Sequence, residues 1–301
     1  MIYVHAGHAE GDFMKKIFAF LLMLSLLLGA LSAQAAVYVD ETPPEDWAER
    51  DLLRLTVFRT GESDCMLLEA GGESMMIDGG ANKWREKLRD ALAAREITHL
   101  KYIYNTHPHD DHIDGLYRIM QYGVTADEFV SVFAKNFSND LHKRAVKQAD
   151  KVGIPYRQLQ VGDVLTLGNA TLTIYRWEKG KSINDLSAMA KLEYGDCSAL
   201  LTADITGEAQ RAILKEFGEE VMKADVAKFP HHGLTPYVSE VLDVIDPDFL
   251  WATNYNQDDK IKKARNQANN RKIPVKFSGE GTIILESDGT DWYIHQTLKQ
   301  F

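Results

Sequence analysis

The stretch Thr106-His107-Pro108-His109-Asp110-Asp111-His112 follows directly after the apolar run Leu100-Lys101-Tyr102-Ile103-Tyr104. Histidine accounts for only 10 of the 301 residues, so a cluster of three within this stretch is unlike the rest of the chain. Side chains two apart on an extended backbone point the same way, so His107 and His109 can face one ion. Asp111 and His112 come where the chain turns and can face a second ion beside it. Because imidazole and carboxylate groups suit zinc and its first-row neighbours, the stretch predicts a site for two divalent metal ions.

The beginning of the chain has the pattern of a targeting segment. Met14-Lys15-Lys16 is basic, Ile17 to Leu31 is apolar, and Ala33-Gln34-Ala35 offers small residues at cleavage spacing. This pattern predicts that residues 1–35 are an N-terminal extension and signal peptide, with Met14 as the true start and cleavage after Ala35. We therefore expect a secreted or extracytoplasmic protein with no stable membrane span after cleavage; an uncleaved anchor is the alternative.

Composition constrains the remainder of the chain. The formal net charge of −10 argues against a broad, nonspecific grip on nucleic acid. Residues 36–51 are acidic, contain Pro43-Pro44, and are expected to form a linker to a domain over residues 52–301. Cys65 and Cys197 lie in apolar, strand-like contexts, which favour two buried free thiols, although an exported protein also permits a disulfide.

From Leu52 onward the chain alternates strand-like and helix-like segments in two halves. Such alternation predicts two packed sheets with helices on both outer faces. Two further strand ends carry polar residues. Asp204 follows the apolar run 200–203 and is either a carboxylate that bridges two ions or the N-cap of the next helix. In Pro230-His231-His232-Gly233 the adjacent side chains diverge, so we expect one histidine to bind metal and the other to face substrate or another partner.

Together these segments resemble the metallo-β-lactamase superfamily and its His-x-His-x-Asp-His signature. Within it they are similar to the ComEC-type domain of DNA-internalisation proteins and related secreted hydrolases. The similarity spans roughly residues 52–289, and it implies an α/β fold of four layers, the αββα metallo-β-lactamase sandwich. It rests on the signature and on four further segments, 60–65, 76–80, 200–205 and 230–233.

The resemblance also implies a role for each candidate residue. The first ion would be bound by His107 and His109, and the second by Asp111 and His112, with Asp204 bridging both and His232 as the last ligand. His231 would meet the substrate, although His231 and His232 could exchange roles. Asp78 would hold the ligand loops. The usual third histidine of the first ion is missing, so Asn184 or water would complete that site. The ions would be zinc, or manganese if the first site prefers a harder ion.

These assignments predict a hydrolase that attacks with a hydroxide bound to the two metal ions. Asp111 would accept the proton and His231 would stabilise the leaving oxygen. The expected substrates are phosphodiesters, nucleic acid or another phosphoryl ester. Basic segments around 143–151 and 260–272 would contact phosphate, or else are ordinary solvated helix faces. The alternatives are hydrolysis of amides, esters, thioesters or β-lactams, and a non-catalytic metal-binding module.

Overall fold

The computed structural model describes residues 35–301; the predicted signal peptide and its start at Met14 lie outside this range. The described residues contain two sheets and seven α-helices. The strands are β1 Ala36–Val39, β2 Leu53–Val57, β3 Cys65–Ala70, β4 Glu73–Gly79, β5 His99–Asn105, β6 Thr125–Ser131, β7 Tyr156–Gln158, β8 Val164–Leu167, β9 Ala170–Tyr175, β10 Met189–Tyr194, β11 Cys197–Leu201, β12 Val226–Lys228, β13 Phe249–Ala252, β14 Val275–Phe277, β15 Gly281–Ser287 and β16 Asp291–Leu298. The helices are α1 Arg85–Ala93, α2 Asp110–Gln121, α3 Asp140–Lys151, α4 Gly207–Phe217, α5 Glu219–Met222, α6 Ser239–Ile245 and α7 Lys262–Arg271.

One sheet has nine strands in the order β1-β16-β15-β2-β3-β4-β5-β6-β7, and the other has seven in the order β14-β13-β12-β11-β10-β9-β8. Strands β4 to β7 run parallel to one another, as do β11 to β14. Since parallel neighbours end at the same edge of a sheet, the loops after β4 and β5 lie together, and so do those after β11, β12 and β13.

The predicted four-layer sandwich is confirmed by where the apolar side chains lie. Alternate residues of a strand face opposite sides of the sheet. Met66 and Leu68 of β3 accordingly pack in the core between the sheets. Leu67 packs instead against the helices that cover the nine-stranded sheet. A third core joins Leu200 of β11 to the helices outside the seven-stranded sheet.

The expected linker over residues 36–51 is wrong for much of its length. Strand β1 pairs in parallel with β16, and Trp47 is buried, its indole Nε1–H donating to Glu286 Oε2 at 3.2 Å. The acidic and proline residues that suggested a linker lie in the exposed turn between these two contacts. Within residues 35–301, no helix combines the length and apolar character needed to cross a membrane.

The predicted free thiols are confirmed, because Cys65 and Cys197 are both buried and unpaired. Helix α2 follows the histidine stretch and begins at Asp110, directly after the extended residue His109. Asp110 and Asp111 therefore lie in the first turn, where the helix dipole favours acidic residues.

Candidate metal centre

The predicted metal ligands come together where the carboxyl ends of two sets of parallel strands meet. His107 and His109 follow β5, and Asp204 follows β11. His231 and His232 follow β12, and the first turn of α2 supplies Asp111 and His112. Ligand sites of α/β sheets commonly form at this edge, because loops there converge on one crevice.

Four of these side chains form a compact donor group. His112 Nε2 lies 3.3 Å from His232 Nε2 and 3.3 Å from Asp204 Oδ2. His232 Nε2 lies 3.6 Å from Asp204 Oδ2 and 3.0 Å from Asp111 Oδ2. Ligands about 2.05 Å from a tetrahedral ion are separated from each other by about 3.3 Å. The separations therefore match the distances between neighbouring ligands of a tetrahedral zinc ion. We call Asp111, His112, Asp204 and His232 the second donor group.

Hydrogen bonds on the far side of both rings set their orientation. His112 Nδ1 lies 2.8 Å from Asp78 Oδ2, and His232 Nδ1 lies 3.1 Å from Asp64 Oδ1. If each Nδ1–H donates to its carboxylate, both Nε2 lone pairs face each other at 3.3 Å. Facing lone pairs repel unless a proton or a cation lies between them. Carboxylate partners of this kind fix the ring orientation of metal-binding histidines.

The first donor group consists of His107, His109 and Asp204, lies beside the second, and shares Asp204 with it. His107 Nε2 lies 3.1 Å from His109 Nδ1 and 3.5 Å from Asp204 Oδ2. Asp204 is 1% exposed, and its other oxygen, Oδ1, has no hydrogen-bond partner among residues 35–301. One carboxylate thus joins both groups, which is the arrangement expected for a bridging ligand.

The first donor group has three donors rather than four. The loop that contains Asn184 lies against the histidine stretch, because Ala188 N donates to Thr106 O at 3.3 Å. Asn184 Oδ1 is buried and has no hydrogen-bond partner in the described part of the chain, so this oxygen is available to coordinate a metal ion. Asp185 holds this loop by accepting from Thr206 Oγ1, the cap of α4, at 2.6 Å.

Backbone strain is concentrated around the site. Four non-glycine residues there have positive φ: Asp78 (53°), Ala203 (45°), His231 (51°) and His232 (57°). Each costs of order 1–3 kcal/mol and persists only where the surrounding contacts enforce it. The consecutive left-handed residues send the His232 ring inward, to full burial, and leave the His231 side chain 29% exposed. The predicted divergence of the two histidines is thus built into the turn.

Electrostatics divides the histidines into two kinds. Burial alone would lower the pKa of His232, but the carboxylates of Asp204 and Asp64 outweigh it and raise that pKa to about 9. The pKa of His112 is likewise raised against burial by neighbouring carboxylates. By contrast, burial holds the pKa of His107, His109 and His231 below the ordinary value. The carboxylates around the second donor group therefore favour positive charge at that position, which is the charge a metal ion would supply.

Three cations of the predicted phosphate-contacting segments have carboxylate partners. Arg144 of α3 pairs with Asp114, and Lys260 pairs with Glu62 at 2.9 Å. Arg271 of α7 pairs with Asp243 at 2.5 Å. Exposed ion pairs of this kind contribute little and do not exclude a contact with phosphate, so phosphate binding by these segments stays a prediction.

Three side chains at the site went without a role in the sequence analysis. Asp64 was part of the recognised segment 60–65, but that turn gave no sign of its contact with His232. Thr253 Oγ1 lies 2.9 Å from the same ring nitrogen. Lys228 is fully buried in an otherwise apolar strand. A lysine at such a position is rare, and this sequence signal could have identified Lys228 as a residue with a special role. Although Asp64 lies near the second donor group, it contacts Nδ1 of His232 rather than Nε2, so it orients a ligand.

Comparisons with known proteins agree with this architecture. The sequence matches the family model of the metallo-β-lactamase superfamily over residues 59–248. No curated protein matches the sequence significantly. Among solved structures, the metallo-β-lactamase fold protein YhfI from Bacillus subtilis is similar, with TM-score 0.54 and 15% identity over 79% of this chain and 100% of that one. CmlA, a diiron β-hydroxylase from Streptomyces venezuelae, gives TM-score 0.49 and 14% identity over 78% of this chain and 53% of that one.

A diphosphatase from the PhnP family gives TM-score 0.46 and 13% identity over 76% of this chain and 94% of that one. Of these structures, YhfI shares the fold with the chain at low identity. The family match covers most of the described domain, from the loop before Asp64 through both donor groups and the Pro-His-His-Gly turn. This chain therefore belongs to the metallo-β-lactamase superfamily.

Proposed function

We propose that this chain is an exported hydrolase that uses two divalent metal ions to cleave phosphodiesters. The observation that carries the proposal is the pair of donor groups joined by the buried carboxylate of Asp204. A single structural ion would need only one such group. Zinc suits the mixed imidazole and carboxylate donors, and manganese remains the alternative for the first group.

In this proposal Asp111 and His231 face the substrate, and their partial exposure supports these roles. Asp111 and His231 keep 28% and 29% of their side-chain surface exposed, whereas His107, His112, His232 and Asp204 keep 1% or less. Because its pKa is lowered by burial, His231 is neutral near pH 7 and would act on a leaving oxygen by hydrogen bonding. Asp111, whose pKa is held low by the neighbouring histidines, is ionised and able to accept a proton. When bound, ions of this kind acidify water and neutralise charge that develops on the attacked group.

The finer assignments rest on the sequence. The phosphodiester preference and the ComEC-like branch follow from the segments around Asp64, Asp78, Asp204 and the Pro-His-His-Gly turn. Export follows from the pattern in residues 1–35. In this proposal Asn184 or water completes the first donor group, and His232 rather than His231 is the ligand.

The test is a metal and substrate screen on residues 36–301, the predicted mature chain. Metal content would be quantified, and turnover measured with zinc or manganese on DNA, a chromogenic phosphodiester, a phosphorylcholine ester, a phosphomonoester and a chromogenic cephalosporin. Two ions per chain with phosphodiester cleavage are expected. Cleavage of the cephalosporin alone would favour the amide and β-lactam alternative. One ion without turnover would favour a binding module.

Export has a separate test. The full chain expressed in a bacterium should yield a shortened protein outside the cytoplasm that begins at Ala36. A chain that keeps its first residues and stays in the cytoplasm would contradict this part of the proposal.

A further inference from the structure

A buried ion pair lies directly beneath the second donor group. Lys228, the last residue of β12, has a fully buried side chain, and its Nζ lies 2.9 Å from Asp64 Oδ2. Asp64 is also fully buried, and burial by itself would raise its pKa, but Lys228 and His232 hold that pKa well below its usual range. Asp64 is therefore a buried carboxylate in direct contact with a buried lysine.

The ammonium group of Lys228 makes two hydrogen bonds in addition to its ion pair with Asp64. It donates to Ala203 O at 3.1 Å and to Phe229 O at 3.2 Å. Ala203 has a left-handed backbone and directly precedes Asp204, and Phe229 precedes the Pro-His-His-Gly turn. Lys228 thereby joins the two loops that supply Asp204 and His232.

Asp64 continues this connection on the other side. Its Oδ1 accepts from Thr253 Oγ1 at 2.5 Å and lies 3.1 Å from His232 Nδ1. Its backbone N–H donates to Asp111 O at 3.1 Å. The pair thus contacts the second donor group at three points. These are the backbone carbonyl of Asp111, the backbone carbonyl of Ala203 next to Asp204, and the ring of His232.

Stability alone does not explain such a pair. Burying two charges carries a large desolvation penalty, and apolar side chains of similar volume often serve a fold as well or better. The contacts of this pair instead go to the groups that orient proposed ligands. Partners of metal-binding histidines typically affect metal affinity by 10–100-fold.

We propose that Lys228 and Asp64 act together as positioning residues for the second donor group. Asp64 fixes the His232 ring so that Nε2 faces the ion. Lys228 holds Asp64 in place through the 2.9 Å ion pair, and it holds the strained Ala203 carbonyl that sets the direction of Asp204. This inference rests on the proposed metal centre, because it assigns the pair a role in binding the second ion.

The test separates positioning from folding by comparing Lys228→Met with the double variant Asp64→Asn, Lys228→Met. The full chain, stripped of metal, would be titrated with zinc against a chromophoric chelator, and thermal unfolding would be recorded in parallel. Lys228→Met leaves Asp64 buried without its partner, so we expect lower thermal stability and weaker binding of one ion. In the double variant both charges are gone, so thermal stability should recover. One of the two zinc affinities should still be at least tenfold weaker than in the unchanged chain, and the other should stay within threefold.

Leu53→Ala is the matched control, because Leu53 is fully buried at the start of β2, before the strand reaches the site loops. It should lower thermal stability and leave both zinc affinities unchanged. A double variant that binds both ions as tightly as the unchanged chain would overturn the positioning role. An unchanged chain that binds fewer than two ions would instead overturn the proposed metal centre.

Discussion

Replacing Gly115 by alanine should damage both the fold and the metal site. Gly115 lies inside α2, where helix propensity alone predicts that alanine stabilises by about 1 kcal/mol. The packing reverses that sign. A Cβ at Gly115 would lie 1.7 Å from the carbonyl oxygen of Gly79, at the end of β4, and Gly115 N–H donates to Gly80 O at 2.8 Å.

The size of the effect follows from the displacement that the new methyl group requires. Ordinary contact distances begin near 3.4 Å, so helix and strand must separate by about 1.5 Å or more. Overpacking of this kind costs about 1–3 kcal/mol and outweighs the gain of about 1 kcal/mol from helix propensity, so the net loss reaches about 2 kcal/mol and lowers the Tm of a domain of this size by up to about 8 °C. The same shift would break the 2.8 Å contact between His112 and Asp78, because these residues belong to the separated helix and strand. We therefore expect at least tenfold weaker binding of one zinc ion.

The assay combines thermal unfolding of the metal-free chain with a zinc titration. Gly207→Ala is the matched control, because Gly207 is also helical and its Cβ would meet only Val238 Cγ2, at 3.4 Å. The control should leave Tm equal or slightly higher, with both zinc affinities intact. The reasoning is refuted if Gly115→Ala raises Tm as helix propensity predicts and keeps both ions at unchanged affinity.

Three further outcomes are expected. Asp204→Ala should reduce bound metal from two ions to one or none and remove at least half of the stabilisation that zinc gives at 100 times its Kd, which is about 2.7 kcal/mol per ion; retention of both ions and full activity would exclude Asp204 as the bridge. In the metal-free chain, the pKa of His232 is raised from 6.5 to about 9, so its stabilisation of about 3 kcal/mol is complete below pH 6.5 and disappears as the pH rises through 9; urea unfolding at pH 6 and pH 9.5 would measure this, and His232→Gln should flatten the difference. Cys65 and Cys197 should not react with a thiol reagent in the native state, because burial raises both thiol pKa values, that of Cys197 to about 12, and both should react after unfolding.

Local patterns in the chain were enough to predict the fold and most of the donor residues. Alternating strands and helices predicted the layered sandwich, and the spacing of His107, His109, Asp111 and His112 predicted two donor groups. These features can be recognised in the sequence because the residues are close together along the chain, and because strand ends and turns favour characteristic residue types. The short strands β1, β7 and β14 left no such signal, since an edge strand of three or four residues has too little pattern to read.

The identity of the donors and the two-sheet architecture could therefore be predicted from the sequence. The contacts that hold the donors in place could be seen only in the folded protein. Asp64 meets Lys228 and His232 across separations of more than 160 residues, and Gly115 touches Gly79 only because helix α2 crosses the end of β4. Contacts between distant segments depend on the packing of both sheets, which no local pattern records. The sequence identifies the candidate ligands of this centre, and the packing of both sheets determines how their side chains are oriented.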